Sequence, residues 1–310
     1  MTLPKNICAL ALIGLIAAGC SSRSSDEFTL QYEKLLQRMA DRNYLARLDD
    51  PPDFIVTSYD AAGGNNDFNN FVRKGPDGWV VFADLKGPGY VSRFWFTGAR
   101  TDKHRLRFFF DDERRPRIDT TVGEFCGGKE PFLPPLAEYV NYCWYSFVPI
   151  PFGERLVIMS QEPGKEQGAG SKLFYQINYC SLPENESVAS FPRKLSDADR
   201  ALIEKVRKIW ALDEDPPAAE EEYATLLRKT LEPGEVSECD SIAGPGVIKT
   251  LKITPDFAAI KSVSARERIL RDIILRIRWD GSDFPSVEVP LGDFFGSMWR
   301  RTRFNSMFVG

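Results

Sequence analysis

Histidine is almost absent: His104 is the only one in 310 residues. That excludes every site needing two imidazoles. A Ser-His-Asp arrangement would have to use His104, which lies in the run Asp102-Lys103-His104-Arg105 and is expected among solvated charges at a strand start. Clustered positive charge is also missing. The 40 Lys and Arg are scattered among 44 Asp and Glu, for a net charge of −4, which argues against a nucleic-acid partner. None of the six cysteines forms a CxxC pair, so no zinc site is expected. No apolar run after the N-terminus approaches membrane-spanning length. Whatever chemistry the chain performs is left to carboxylates, with Tyr, Asn and Arg in support.

The N-terminus departs from this pattern. Lys5 precedes an apolar run from Ile7 to Ala18, whose end forms the small-residue site Ala17-Ala18-Gly19-Cys20, and a polar stretch follows. The run is short for a finished transmembrane helix and fits a secretory h-region. Cysteine directly after Ala-Gly resembles a bacterial lipobox, in which Cys20 becomes the lipidated first residue; the alternative is an ordinary cleaved leader. Buried acyl chains contribute about 0.8 kcal/mol per methylene, enough for firm anchoring with several chains. The expectation is an exported, membrane-anchored lipoprotein on the periplasmic or cell-surface side. Cys8 leaves with the leader. Cys126, Cys143, Cys180 and Cys239 remain, either as disulfides, whose pairing sequence does not separate, or as buried thiols.

A long internal repeat organises the rest. Leu106–Gly127 (LRFFFDDERRPRIDTTVGEFCG) aligns without gaps on Leu275–Gly296 (LRIRWDGSDFPSVEVPLGDFFG) at an offset of 169 residues. Asp111 falls on Asp280, Pro116 on Pro285, Asp119 on Glu288, Glu124 on Asp293 and Gly127 on Gly296. Upstream, GPGYVSRFWF (Gly87–Phe96) pairs with GPGVIKTLKI (Gly244–Ile253). Two matching blocks in one order imply duplicated domains rather than a solenoid.

Short aromatic and β-branched runs separated by Gly- and Pro-rich turns predict an all-β chain: a tandem (double) jelly roll with N-terminal and inter-domain helices. Ile150-Pro151-Phe152 reads as an edge or bulged strand, since proline cannot donate to a central ladder. Helices are expected over Phe28–Leu48, after a Ser196 cap with apolar positions Leu202, Ile203, Val206, Ile209 and Trp210, and over Tyr223–Leu231. The division is a leader (1–20), linker and helix (21–49), first jelly roll (50–190), helical connector (191–232) and second jelly roll (233–310). After Gly127 the first unit runs on for about fifty residues. After Gly296 fourteen remain, so the second jelly roll is expected to be incomplete and in need of covering neighbours.

The loop SYDAAGGNND places Tyr59, Asp60, Asn65, Asn66 and Asp67 around Gly63-Gly64. Glycines permit a sharp turn and close ligand approach, and the polar side chains supply the donors and acceptors that sugar hydroxyls need. A turn closed by its own Asx hydrogen bonds, or a calcium loop, fits the same residues. Glu288 and Asp293 flank a Pro-Leu-Gly turn. Acetal hydrolysis needs two carboxyls, one to protonate the leaving oxygen and one to attack or stabilise the anomeric carbon. Their first-repeat counterparts, Asp119 and Glu124, are read as structural. Trp79, Trp95, Tyr142, Trp144, Tyr145 and Trp299 could stack on sugars, although at strand spacing most are read as core.

Taken together, RMADRNYLARLDDPPDF, TSYDAAGGNNDFNNF, the paired GPG-to-GDFFG blocks, SFVPIPF and LFYQINY resemble glycoside hydrolase family 172, formerly domain of unknown function 2961, over roughly residues 28–310. The resemblance implies a double jelly roll, trimers or hexamers, and retaining hydrolysis or transfer of α-D-fructofuranosides or D-arabinofuranosides by two glutamates without metal or organic cofactor. Glu288 matches one of them, as nucleophile; the second is not placed, and Asp293 is the fallback. The resemblance also favours Tyr59, Asp60, Asn65, Asn66 and Asp67 as sugar-binding residues. The rival is a non-catalytic carbohydrate-binding or scaffold lipoprotein, possibly a fragment lacking a complete active site.

Overall fold

The computed structural model describes residues 28–41, 44, 51–161, 172–212, 228–238, 241–246, 248 and 251–296. In chain order the strands are β1 (Phe28–Leu30), β2 (Asp53–Thr57), β3 (Arg73–Lys74), β4 (Trp79–Lys86), β5 (Gly89–Gly98), β6 (Arg105–Phe110), β7 (Ile118–Thr121), β8 (Ala137–Val140), β9 (Cys143–Ser146), β10 (Ile150–Phe152), β11 (Arg155–Gln161), β12 (Leu173–Ser181), β13 (Glu186–Val188), β14 (Ile274–Ile277) and β15 (Val287–Pro290). The helices are α1 (Tyr32–Ala40), α2 (Asp197–Trp210), α3 (Val263–Asp272) and the short α4 (Leu291–Phe294).

The larger sheets run β2-β12-β5-β9-β8, with β10 also on β5, and β3-β4-β11-β6-β7. Every pairing in both is antiparallel. Alternation decides which side chains face inward. Leu106, Phe108 and Phe110 of β6 are buried and Arg105 and Arg107 are not; Leu156 and Ile158 of β11 follow the same rule. The inner faces meet through aromatics. Phe82 stacks on Tyr175 with ring centres 4.3 Å apart, and Phe94 touches both Phe108 and Phe125 at 5.7 and 4.8 Å. Each such side chain contributes about 1.5–3 kcal/mol on full burial. The result is an all-β sandwich of jelly-roll type. Pro151 lies on β10, which among the described residues pairs only with β5, so its missing N–H breaks no second ladder there.

The N-terminal helix is shorter than its apolar stripe predicts. Phe28–Leu30 is a strand, parallel to Glu186–Val188 of β13, and the helix begins at Tyr32. Residues 45–48 of the expected helix lie outside the described residues. Helix α2 starts where Ser196 predicts it: Ser196 Oγ accepts from the Asp199 N–H at 3.0 Å, and Asp199 Oδ2 accepts from the Ser196 N–H at 2.8 Å. Its Trp210 Nε1 donates to the Met39 carbonyl at 2.8 Å, fastening α2 to α1. Of the candidate helix Tyr223–Leu231, residues 223–227 lie outside the described residues and the remainder is not helical.

The repeat is a repeat of conformation. Arg105–Phe108 pair with Thr121–Ile118 in the order in which Ile274–Ile277 pair with Pro290–Val287, each pair displaced by 169 positions. Asp111 and Asp280 both turn with left-handed backbone (φ 54° and 52°), and Gly127 and Gly296 both close with positive φ. Surroundings separate the copies. β6 lies between β7 and β11, whereas among the described residues β14 pairs only with β15. Buried Phe110 corresponds to Trp279, which is 47 % exposed. The second GPG block shows no strand among its described residues, and Ile248, Leu251 and Ile253 are exposed.

Cys126, Cys143 and Cys180 are thiols, Cys180 directing its sulfur to Asp53 Oδ1 at 3.7 Å, and Cys239 lies outside the described residues. The two-residue turn of the β8–β9 hairpin places Asn141 and Tyr142 at φ 51° and 66°. Glycine is favoured at the second position, and a side chain in this region costs about 1–2 kcal/mol.

His104 overturns its sequence expectation. It is fully buried, because its backbone is drawn inward by pairing with Thr101 and Val122, and neither ring nitrogen has a hydrogen-bond partner among the described residues. Burial lowers its pKa from 6.5 to about 4, against a smaller raising effect of Asp102. The unfolded chain therefore takes up the proton first. The contribution of this group to stability is complete above its ordinary value and lost as pH falls toward 4, reaching a deficit of about 2 kcal/mol at pH 5. Denaturant titrations of the wild type and His104→Leu between pH 7 and pH 4.5 are expected to show a markedly shallower loss in the variant.

Candidate functional site

The loop after β2 is built by its own polar groups. Buried Ser58 exchanges backbone hydrogen bonds with β12: its N–H donates to the Tyr175 carbonyl at 3.1 Å, and its Oγ accepts from the Tyr175 N–H at 3.0 Å and donates to the Asp67 carbonyl at 2.8 Å. The Asp60 N–H donates to Asp67 Oδ1 at 2.7 Å, and the Asp60 carboxylate accepts from the N–H groups of Ala62 at 3.0 Å and Asn66 at 3.4 Å. Asn70 Nδ2 ties the two limbs, donating to the carbonyls of Ser58 and Asn66 at 2.9 and 2.7 Å. Gly63 takes φ 77°, and a Cβ on Gly64 would come 2.6 Å from Asp60 Oδ2.

Asp60 and Asp67 thus serve the backbone of their own loop, which is the Asx-turn arrangement. Among the described residues no group of three His, Cys, Asp or Glu side chains is placed to hold a metal ion. Tyr59, Asn65 and Asn66 are exposed, and their side chains have no hydrogen-bond partner among the described residues. The rigid part of the loop therefore carries a donor-and-acceptor face turned to solvent. Sequence reasoning missed Ser58 and Asn70, whose signal was only their position flanking the glycine turn.

Glu288 and Asp293 lie in the second repeat, on β15 and α4, and the first repeat acts as their internal control. Asp119 is held by two arginines, Arg105 at 2.6 Å and Arg107 at 3.0 Å. At the same register Glu288 keeps only the second, Arg276 Nε at 2.9 Å, because Ile274 replaces Arg105; its side chain is 52 % exposed. Glu124 accepts from Thr120 Oγ1 at 2.9 Å and the Thr121 N–H at 3.3 Å. The matching positions are Val289 and Pro290, which carry neither donor. Asp293 Oδ1 is accordingly shielded from solvent with no hydrogen-bond partner among the described residues. In the first repeat both carboxylates are committed to structure. In the second the cross-strand arginine persists and the other donors are gone.

Residues 54–199 match the description GH172 first beta-sandwich domain, and residues 222–310 match GH172 domain-like. The chain belongs to glycoside hydrolase family 172. No curated protein matches it. The first match covers the sandwich with the Ser58–Asn70 loop, and the second covers the hairpin with Glu288 and Asp293, so both sets of candidate residues lie within family 172 segments. A glycoside-hydrolase type of function follows from this membership.

The contrast between repeats has a thermodynamic consequence. Glu124→Ala removes two accepted hydrogen bonds and is expected to cost about 1–2 kcal/mol in urea unfolding. Asp293→Ala removes a shielded oxygen that bonds nothing, and is expected to stay within about 0.5 kcal/mol of wild type or to be stabilising.

Proposed function

We propose that this protein is an exported furanosidase, cleaving α-D-fructofuranoside or D-arabinofuranoside glycans by a retaining mechanism with two carboxyl groups. The observation that carries the reading is the contrast between repeats: Glu288 keeps one arginine where Asp119 has two, and Asp293 has neither of the donors that hold Glu124. Glu288, oriented by Arg276, attacks the anomeric carbon and forms a glycosyl-enzyme. Asp293 is assigned the acid's part, giving a proton to the leaving oxygen and then taking one from the attacking water; its buried Oδ1, which bonds nothing among the described residues, has to turn toward the substrate to do so. A retaining enzyme requires about 5–5.5 Å between the two groups. The exposed face of Tyr59, Asn65 and Asn66, on the framework set by Asp60 and Asp67, holds the sugar hydroxyls. Neither step calls on a metal or an organic cofactor.

The same proposal places the protein on a membrane surface through lipid on Cys20, which lies outside the described residues, and assembles it as a homo-oligomer, trimer or hexamer. The partially covered second unit, with Trp279 and Phe284 exposed, supports assembly.

Two measurements test this reading. Release of p-nitrophenol from p-nitrophenyl furanosides is expected to fall at least 10³-fold in Glu288→Gln, with substrate affinity retained. Furanoside binding without turnover in the wild type would instead identify a carbohydrate-binding lipoprotein. Separately, Cys20→Ser is expected to move the protein from the membrane fraction to the soluble one; unchanged fractionation would remove the lipid anchor from the reading.

A further inference from the structure

Tyr142 is 83 % exposed at the tip of the β8–β9 hairpin, in backbone that favours glycine. A bulky ring held in solvent at a conformational cost has no packing explanation within the described chain: its own strand neighbours, Tyr139 and Trp144, stack on each other with centres 4.5 Å apart and leave it out.

Its location supplies a use. Thr97 Oγ1 donates to the Tyr142 carbonyl at 2.7 Å, pinning the tip to the end of β5. One residue on, Gly98 pairs with Leu173 of β12. Leu173 in turn exchanges hydrogen bonds with Asn69: its N–H donates to Asn69 Oδ1 at 2.8 Å and its carbonyl accepts from the Asn69 N–H at 3.0 Å. The hairpin tip and the Ser58–Asn70 loop therefore crown the same end of one sheet, separated by the strand order β2-β12-β5-β9. Three strand spacings set them roughly 14–15 Å apart, a span suited to an oligosaccharide rather than a single sugar.

We propose that Tyr142 is a sugar-stacking residue at the far end of the glycan site that begins at Tyr59, Asn65 and Asn66. The two elements divide the work: the loop presents hydroxyl-binding polar groups, and the hairpin presents an aromatic face to the apolar side of a more distant ring. This rests on the reading of the loop as a sugar site. The backbone strain at Tyr142 is then the cost of holding the ring where a glycan chain would pass.

The test uses the full chain carrying Glu288→Gln, so that bound sugar persists, titrated calorimetrically with D-arabinofuranose and D-fructofuranose oligosaccharides of graded length. Tyr142→Gly is expected to weaken binding of the longer oligosaccharides about five- to tenfold, leave monosaccharide binding unchanged, and raise the melting temperature by about 2–4 °C as strain is relieved. Tyr142→Phe is expected to retain binding. Affinity within twofold of the parent for Tyr142→Gly overturns the proposal, as does a change in subunit number on sedimentation, which would make the tip a contact between copies. If the parent binds the oligosaccharides and Asn65→Ala/Asn66→Ala weakens them while Tyr142→Gly does not, the loop reading stands and only the Tyr142 assignment falls. If the parent binds none of them, both fall.

Discussion

Closure of two antiparallel sheets over a shared aromatic interior is the constraint on which the described first unit depends. Phe82 on Tyr175, and Phe94 against Phe108 and Phe125, join residues far apart in sequence. Inward side chains must alternate to make those contacts, so strand register is fixed by what would otherwise turn apolar groups outward. Strand ends, and the loops that leave them, are located to the same degree. The Ser58–Asn70 loop is presented rigidly because Ser58 is buried beside Tyr175, one of the core aromatics. Burial also raises the Tyr175 hydroxyl pKa, and the hydroxyl points to the Phe82 carbonyl at 3.4 Å.

Duplication left two copies of a hairpin under different demands. The first is locked into a five-stranded sheet and uses Asp119 and Glu124 to hold its turn. The second keeps the register and the Arg276 pairing but has exchanged Arg105, Thr120 and Thr121 for Ile274, Val289 and Pro290. A carboxylate stripped of its partners is costly to shelter, and it is also the form in which a carboxyl can engage a substrate. The proposed chemistry takes its support from this one substitution pattern.

Much of the fold was legible in the residues. Alternating aromatic runs located the strands, Ser196 marked the start of α2, and the gap-free repeat predicted that the two copies share a backbone conformation. What escaped depended on contacts distant in sequence. Phe28–Leu30 continues an apolar stripe of helical spacing, yet its backbone finds a strand partner in Glu186–Val188, and tertiary pairing wins over local pattern. His104 sits between charged neighbours that point outward while its own ring is drawn inward, and only the folded sheets decide that. For the loop carboxylates the residues left a sugar site and a self-bonded turn open; Asp60 and Asp67 accept from N–H groups of their own loop, as the second alternative has it. At Tyr142 the sequence Asn-Tyr hides a turn usually announced by Asn-Gly.

The parallel pairing of β1 with β13 gives the first unit a mechanical entry point. Any tension arriving through the chain ahead of Phe28 is met by three residues of paired backbone before it reaches α1 and the Trp210 bond behind it. A load directed along the strand strains those hydrogen bonds together, while one directed across it opens them in turn. Three residues long, the strand sets only a few backbone hydrogen bonds against such a load.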